Sequence, residues 1–127
     1  MKKTAPGWLN DEVKKEWRAV LKLIDVEEKE LEEKDLRILE TYCVNYVKWR
    51  KCEVIMDLEG FTFQTPNGYV QQRPEVAIGN KAQERLLAAA KELGLTPASR
   101  SRMNRSKVYE KEEEFDKELE EMISDGS

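Results

Sequence analysis

The side chains in this sequence best suited to chemistry are cations. Lys14, Arg18 and Lys22 recur every four residues, with Lys15 beside them. Residues four apart are neighbours on a helix surface, and a row of cations on one face can follow a phosphate backbone. The plain alternative is a solvated helix face. A second set, Arg100, Arg102 and Arg105, stands just past a Gly-Leu-Thr-Pro corner. Acid–base and metal chemistry find little to work with. The 127 residues contain no histidine and two cysteines, Cys43 and Cys52. A histidine triad or a Cys/His zinc set is therefore out of reach of one chain. Nine residues along one helix separate the cysteines by about 13 Å, too far for a disulfide, so reduced and buried thiols are expected. Asn67-Gly68 is no phosphate loop, because no Gly-rich Lys-Ser/Thr motif follows it. The expected chemistry is binding, with no catalytic residue, no metal and no cofactor.

Composition sets the frame for those residues. Charged residues make up 38% and hydrophobic residues 39%, which implies one small core, much solvated helix surface, and an oligomer that completes the burial. The net charge of −4 is unevenly spread. Lys107 to Asp125 holds nine acids against three lysines, a net −6, which leaves the remainder at +2. A mildly basic body and an acidic tail can each have a partner of their own. No apolar run is long enough for a membrane span, and Met1 to Gly7 lacks the apolar segment of a signal peptide. A cytoplasmic protein is expected, with no membrane partner.

Positioning the cations falls to helices. Asn10 caps a first helix expected over 10–25, with Asp11 and Glu12 where the helix dipole favours acids. Leu9, Val13, Trp17, Val20, Leu21 and Ile24 form its apolar face. A charged connection, 26–33, follows. A second helix is expected over 34–59, close to 40 Å long, stopped by Gly60. Leu36, Leu39, Tyr42, Cys43, Tyr46, Trp49, Ile55 and Leu58 lie on or near one stripe of it. Its aromatic residues can serve a core, a subunit contact or stacking on bases. A helix this long in a small domain packs against several neighbours, often from another subunit.

The period then changes. Phe61 to Gln64 and Tyr69 to Gln72 alternate around Thr65-Pro66-Asn67-Gly68, a β-hairpin pattern. Two strands alone are marginal in water, so the hairpin should lie on helices or on another subunit. Pro74 opens a third helix, expected over 75–93, whose Ile78, Ala82, Leu86, Ala89, Ala90 and Leu93 form its apolar face. Gly79-Asn80 reads as a weak spot that bends the first turn. Gly94 closes this helix in the left-handed conformation. Thr96 then caps a short new helix with Pro97 at its first position. The tail carries a narrow stripe of Val108, Phe115, Leu119 and Met122 and is expected to be frayed or disordered until a partner's groove folds it. The domain plan is thus a mainly α body, 1–105, with a hairpin near 61–72, followed by an acidic, partly disordered or helical tail, 106–127.

Glu92-Leu93-Gly94-Leu95-Thr96-Pro97, followed by Arg100 and Arg102, resembles a Glu-Leu-Gly-Leu-Thr-Pro-x-x-Arg-x-Arg signature of phage terminase small subunits. Pro6, Leu9 and Trp17, then Leu31 and Asp35, Tyr42-Cys43, Gly60, Gly68 and Pro74 follow that family's pattern in order. The resemblance covers most of residues 6–105. Two positions depart from it, Glu32 where threonine is frequent and Arg73 where asparagine is frequent.

The resemblance implies a non-catalytic DNA-packaging component that works in a bacterial host cell. It implies a ring of several copies that recognises double-stranded phage DNA and delivers it to the terminase large subunit, the bearer of the ATPase and nuclease. On that reading Lys14, Lys15, Arg18 and Lys22, with Arg100, Arg102 and Arg105, contact DNA. Leu39, Tyr42, Tyr46, Trp49, Phe61, Phe63 and Tyr69 serve core and subunit contacts, and Phe115, Leu119 and Met122 meet the large subunit. One alternative is a dimeric helix-turn-helix regulator. Another is an interaction scaffold that binds no DNA even at low salt.

Overall fold

The computed structural model describes residues 4–26 and 31–125. Residues 27–30 of the expected 26–33 connection, and the side chain of Val108, lie outside the described residues. Among the described residues the elements run α1 (Asp11–Val26), α2 (Asp35–Glu59), β1 (Thr62–Gln64), β2 (Val70–Gln72), α3 (Pro74–Glu92) and α4 (Pro97–Asp125). The chain divides into two compact units, Met1–Leu93 and Gly94–Ser127. The mainly helical class with a long central helix and a short hairpin is therefore as expected.

In the first unit α2 is the centre. It packs against α3 and, less extensively, against α1. The core comes from Leu9, Val13, Trp17, Val20 and Ile24 on one side and from Ala82, Leu86, Ala89, Ala90 and Leu93 on the other. Leu39, Cys43, Cys52 and Met56 of α2 lie between. The small side chains of α3 allow the two helix backbones to approach closely. Gly79 marks one such place. A Cβ built there would stand 3.1 Å from the Cβ of Cys52. Gly79 is buried between helices, so its role is close approach where the sequence suggested a bend. Replacing Gly79 with leucine should lower stability by about 2–3 kcal/mol through overpacking. Gly79→Ala should stay within about 1 kcal/mol of wild type, because the gain in helix propensity offsets the tight contact. Urea unfolding of both variants checks this, and a tolerated leucine would mean a looser α2–α3 contact.

Local chemistry sets the helix limits. The Val13 N–H donates to Asn10 Oδ1 at 2.9 Å, the cap expected for α1. At the start of α2 no side chain caps from Lys34. Instead the Glu32 N–H donates to Asp35 Oδ2 at 2.9 Å, which is the returning half of a capping box. Glu32 supplies no short hydroxyl for the other half, and this is the consequence of that departure from the family pattern. Gly60, at φ 81°, ends α2.

The hairpin pairs Thr62 with Gln72, Phe63 with Gln71 and Gln64 with Val70, antiparallel. Gly68 takes φ 85° in its turn, and the Gly68 N–H donates to the Thr65 carbonyl at 2.9 Å. Arg73 fastens this ribbon to the end of α2. Its N–H donates to the Phe61 carbonyl at 2.8 Å and its Nε to the Glu59 carbonyl at 3.3 Å. Its guanidinium lies 3.5 Å from the Glu59 carboxylate and 6.0 Å over the Phe63 ring. The second departure from the family pattern is thus a structural clasp on an exposed hairpin.

In the second unit, Gly94 has φ 71°, and Thr96 and Ser99 cap each other's N–H groups at 3.2 Å. The helix that starts there was expected to be short. It runs unbroken for 29 residues, about 43 Å. Its first turn holds no acid and its last turn no base.

Candidate nucleic-acid interface

The buried face of α1 decides which cations are free to meet a ligand. Val13, Trp17, Val20 and Ile24 point inward, so the helical period turns Lys15, Arg18 and Lys22 directly outward. All three are exposed, whereas Lys14 is half-buried at the flank. The other flank of α1 faces α2. There Glu12 pairs with Lys51 at 3.4 Å, an exposed pair of small energetic weight. Glu16 is half-buried. Burial pushes its carboxyl above the ordinary range, and the Arg50 guanidinium opposes this. Arg50 also lies 5.8 Å over the Tyr46 ring. Glu16, Arg50 and Lys51 were not singled out in the sequence, and Glu12 only as an acid at the start of α1, since only the packing of α1 on α2 brings the four together. Between them lies a groove of about 560 Å³, lined also by Ala19, Val47, Val54 and Ile55 and, at its edge on α1, by Lys15.

Tyr42, Tyr46 and Trp49 form a ladder on α2. The tyrosine rings stack at 6.2 Å and 13°, and Trp49 tilts against Tyr46 at 6.2 Å. All three are half-buried, while Leu39 is wholly inside the protomer. Leu39 thus serves the core, and the ladder keeps some surface for contact. In α4, Arg102 and Arg105 are exposed and Arg100 is half-buried. Arg105 Nη2 donates to Ser101 Oγ at 3.3 Å. These arginines belong to the second unit.

A family model described as phage terminase, small subunit, matches residues 13–110. The chain belongs to that family. No curated protein and no solved structure matches it. Membership gives this terminase small subunit a role in phage DNA packaging. The matched span takes in the α1 cations, the aromatic ladder, the hairpin and all three arginines of α4. Phe115, Leu119 and Met122 of the small subunit lie beyond it, and all three are exposed. Among the described residues no helix is long and apolar enough to cross a membrane, and no cluster of acids and cysteines is placed to hold a metal ion.

The thiols of the small subunit are free, as expected. Burial, aided by the Glu16 carboxylate, pushes Cys43 up to about 12. Burial first, then Glu75 and Glu53, raises Cys52, against Lys48. Thiolate is the reactive form. Cys43 should therefore alkylate roughly a thousandfold more slowly than an ordinary thiol at neutral pH, and at full speed in denaturant. Mass spectrometry after an iodoacetamide pulse checks this. Rapid native labelling of Cys43 would mean that α1 leaves α2 readily.

Proposed function

We propose that this small subunit is a non-catalytic adaptor. Several copies form a ring, grip double-stranded phage DNA through its phosphates and pass it to the terminase large subunit. The observation that carries the reading is the outward face of Lys15, Arg18 and Lys22, opposite a buried apolar stripe and inside the matched span. Lys14 flanks this face. Arg102 and Arg105, with Arg100 beside them, form the second cationic surface.

One copy with a +2 body binds DNA poorly. A ring multiplies the contacts at high effective concentration. Tyr42, Tyr46, Trp49 and Phe63 offer partial surface for assembly, and Phe61 and Tyr69 offer most of theirs. The exposed stripe of Phe115, Leu119 and Met122 on an acidic helix suits a groove with a basic rim on the large subunit. The work takes place in the cytoplasm of the bacterial host. The helix-turn-helix alternative needs a turn of three or four residues, whereas residues 27–34 separate α1 from α2.

The test combines native mass with a salt titration. The reading expects a uniform multiple of 14.9 kDa and duplex affinity that falls steeply and linearly in log salt. A stable dimer with little salt dependence would point to the regulator. A protein with no duplex binding at low salt would point to the scaffold.

A further inference from the structure

Trp8 is a large apolar side chain that the core does not use. It is 71% exposed, yet its backbone is fixed on both sides. The Leu9 N–H donates to the Pro6 carbonyl at 3.2 Å, Leu9 is in the core, and Asn10 is committed to capping α1. The indole is thus held out by an anchored turn. It stands at the edge of a cavity of about 690 Å³. Arg37 and Lys48 of α2 and Arg85 of α3 line that cavity, with Glu40 as its one carboxylate. Arg37, Lys48 and Arg85 are exposed, and among the described residues none has a carboxylate within ion-pair distance. Asn45 also lines the cavity. It is 5% exposed, its Nδ2 donates to the Thr41 carbonyl at 2.7 Å, and its Oδ1 has no donor.

We infer that this cavity is a site for a single unpaired nucleotide. Three cations lining one cavity suit a phosphate. A flat, exposed indole beside them suits a base, since aromatic stacking tolerates any base. Asn45 lies too deep to touch a ligand, its Oδ1 being out of reach of solvent, so recognition falls to the cations and the indole. The cavity lies within the range of small-ligand sites. Bases of intact duplex are stacked on their neighbours and do not present a face to Trp8. The site is therefore separate from the phosphate face on α1, and its ligand is either an unpaired nucleotide of a DNA strand or a free nucleotide.

Calorimetric titration of the full chain tests this with four probes: adenosine 5′-monophosphate, inorganic phosphate, a short oligodeoxyadenylate, and that strand paired with its complement. The single strand or the mononucleotide should bind far better than phosphate. Trp8→Ala should weaken that binding roughly tenfold to a hundredfold, Trp8→Phe should keep most of it, and Arg85→Ala should reduce its salt dependence. Duplex binding should be unchanged by Trp8→Ala, which separates this site from the α1 face. Binding of the strand alone assigns the site to an unpaired residue of DNA, and comparable binding of the mononucleotide assigns it to a free nucleotide. Phosphate binding as well as the mononucleotide, or nucleotide binding indifferent to Trp8→Ala, overturns the inference.

Discussion

Replacing Lys15, Arg18 and Lys22 together by alanine should flatten the salt dependence of duplex binding. Each phosphate contact contributes about 0.9 to the slope of log K against log salt. Three lost contacts lower it by about 2.7 for every copy that touches DNA. In the proposed ring the loss repeats in every copy, so affinity at physiological salt should fall by orders of magnitude. The variant should fold normally, since all three side chains are exposed and opposite the core. Circular dichroism and native mass control for that. An unchanged slope would remove α1 from the DNA face and shift attention to Arg102 and Arg105.

The second large effect concerns assembly. Phe61 is 66% and Tyr69 71% exposed, so replacing both by serine removes little from the protomer. Their cost should appear where another copy covers them. Burying the exposed parts of two such aromatic side chains is worth about 3 kcal/mol per interface, over a hundredfold in each association step. In a closed ring every interface carries the same loss. The native mass should therefore drop from a multiple of 14.9 kDa toward a single chain, with the helical signal retained. A doubly substituted protein of unchanged mass would show that the hairpin lies outside the subunit contacts.

Much of the fold was legible because its stops are local. Asn10, Gly60, Pro74, Gly94 and Thr96 each act through their own backbone or the next turn, and the limits of α1, α2 and α3 and the start of α4 fell within a residue or so of those expected. What escaped depends on distant partners. Leu58 belongs to the apolar stripe by spacing yet is 79% exposed, while Cys52 and Met56 are buried. Helix α2 has neighbours on two sides, so its apolar residues wrap around it and no single period marks the inward face. Gly79 read as weakness because its reason, Cys52, lies on another helix. The length of α4 escaped because a sparse apolar stripe was weighed above the helix propensity of its Glu, Lys, Arg, Leu and Met residues. In the candidate interface, the outward turn of Arg18 and Lys22 was legible opposite Val13, Trp17, Val20 and Ile24, but the four-residue row led with Lys14, which is half-buried, where Lys15 is the exposed member. The carboxylates facing Arg50 and Lys51 needed the second helix in place.

The order of charges along α4 has a thermodynamic consequence. A helix favours anions near its N-terminus and cations near its C-terminus. Here Arg102 and Arg105 stand in the first three turns, Glu118 and Glu120 near the last, and acids repeat four apart at Glu110, Glu114 and Glu118. Such charges oppose the helix dipole and repel one another. Screening relieves both effects, so salt that weakens phosphate contacts elsewhere should firm this helix. A polyanion at one end and a cationic partner at the other would do the same, each lowering the ordering entropy left for the other. The helix would then act as a linkage between its two ends, its stability the shared variable through which occupancy at one is felt at the other.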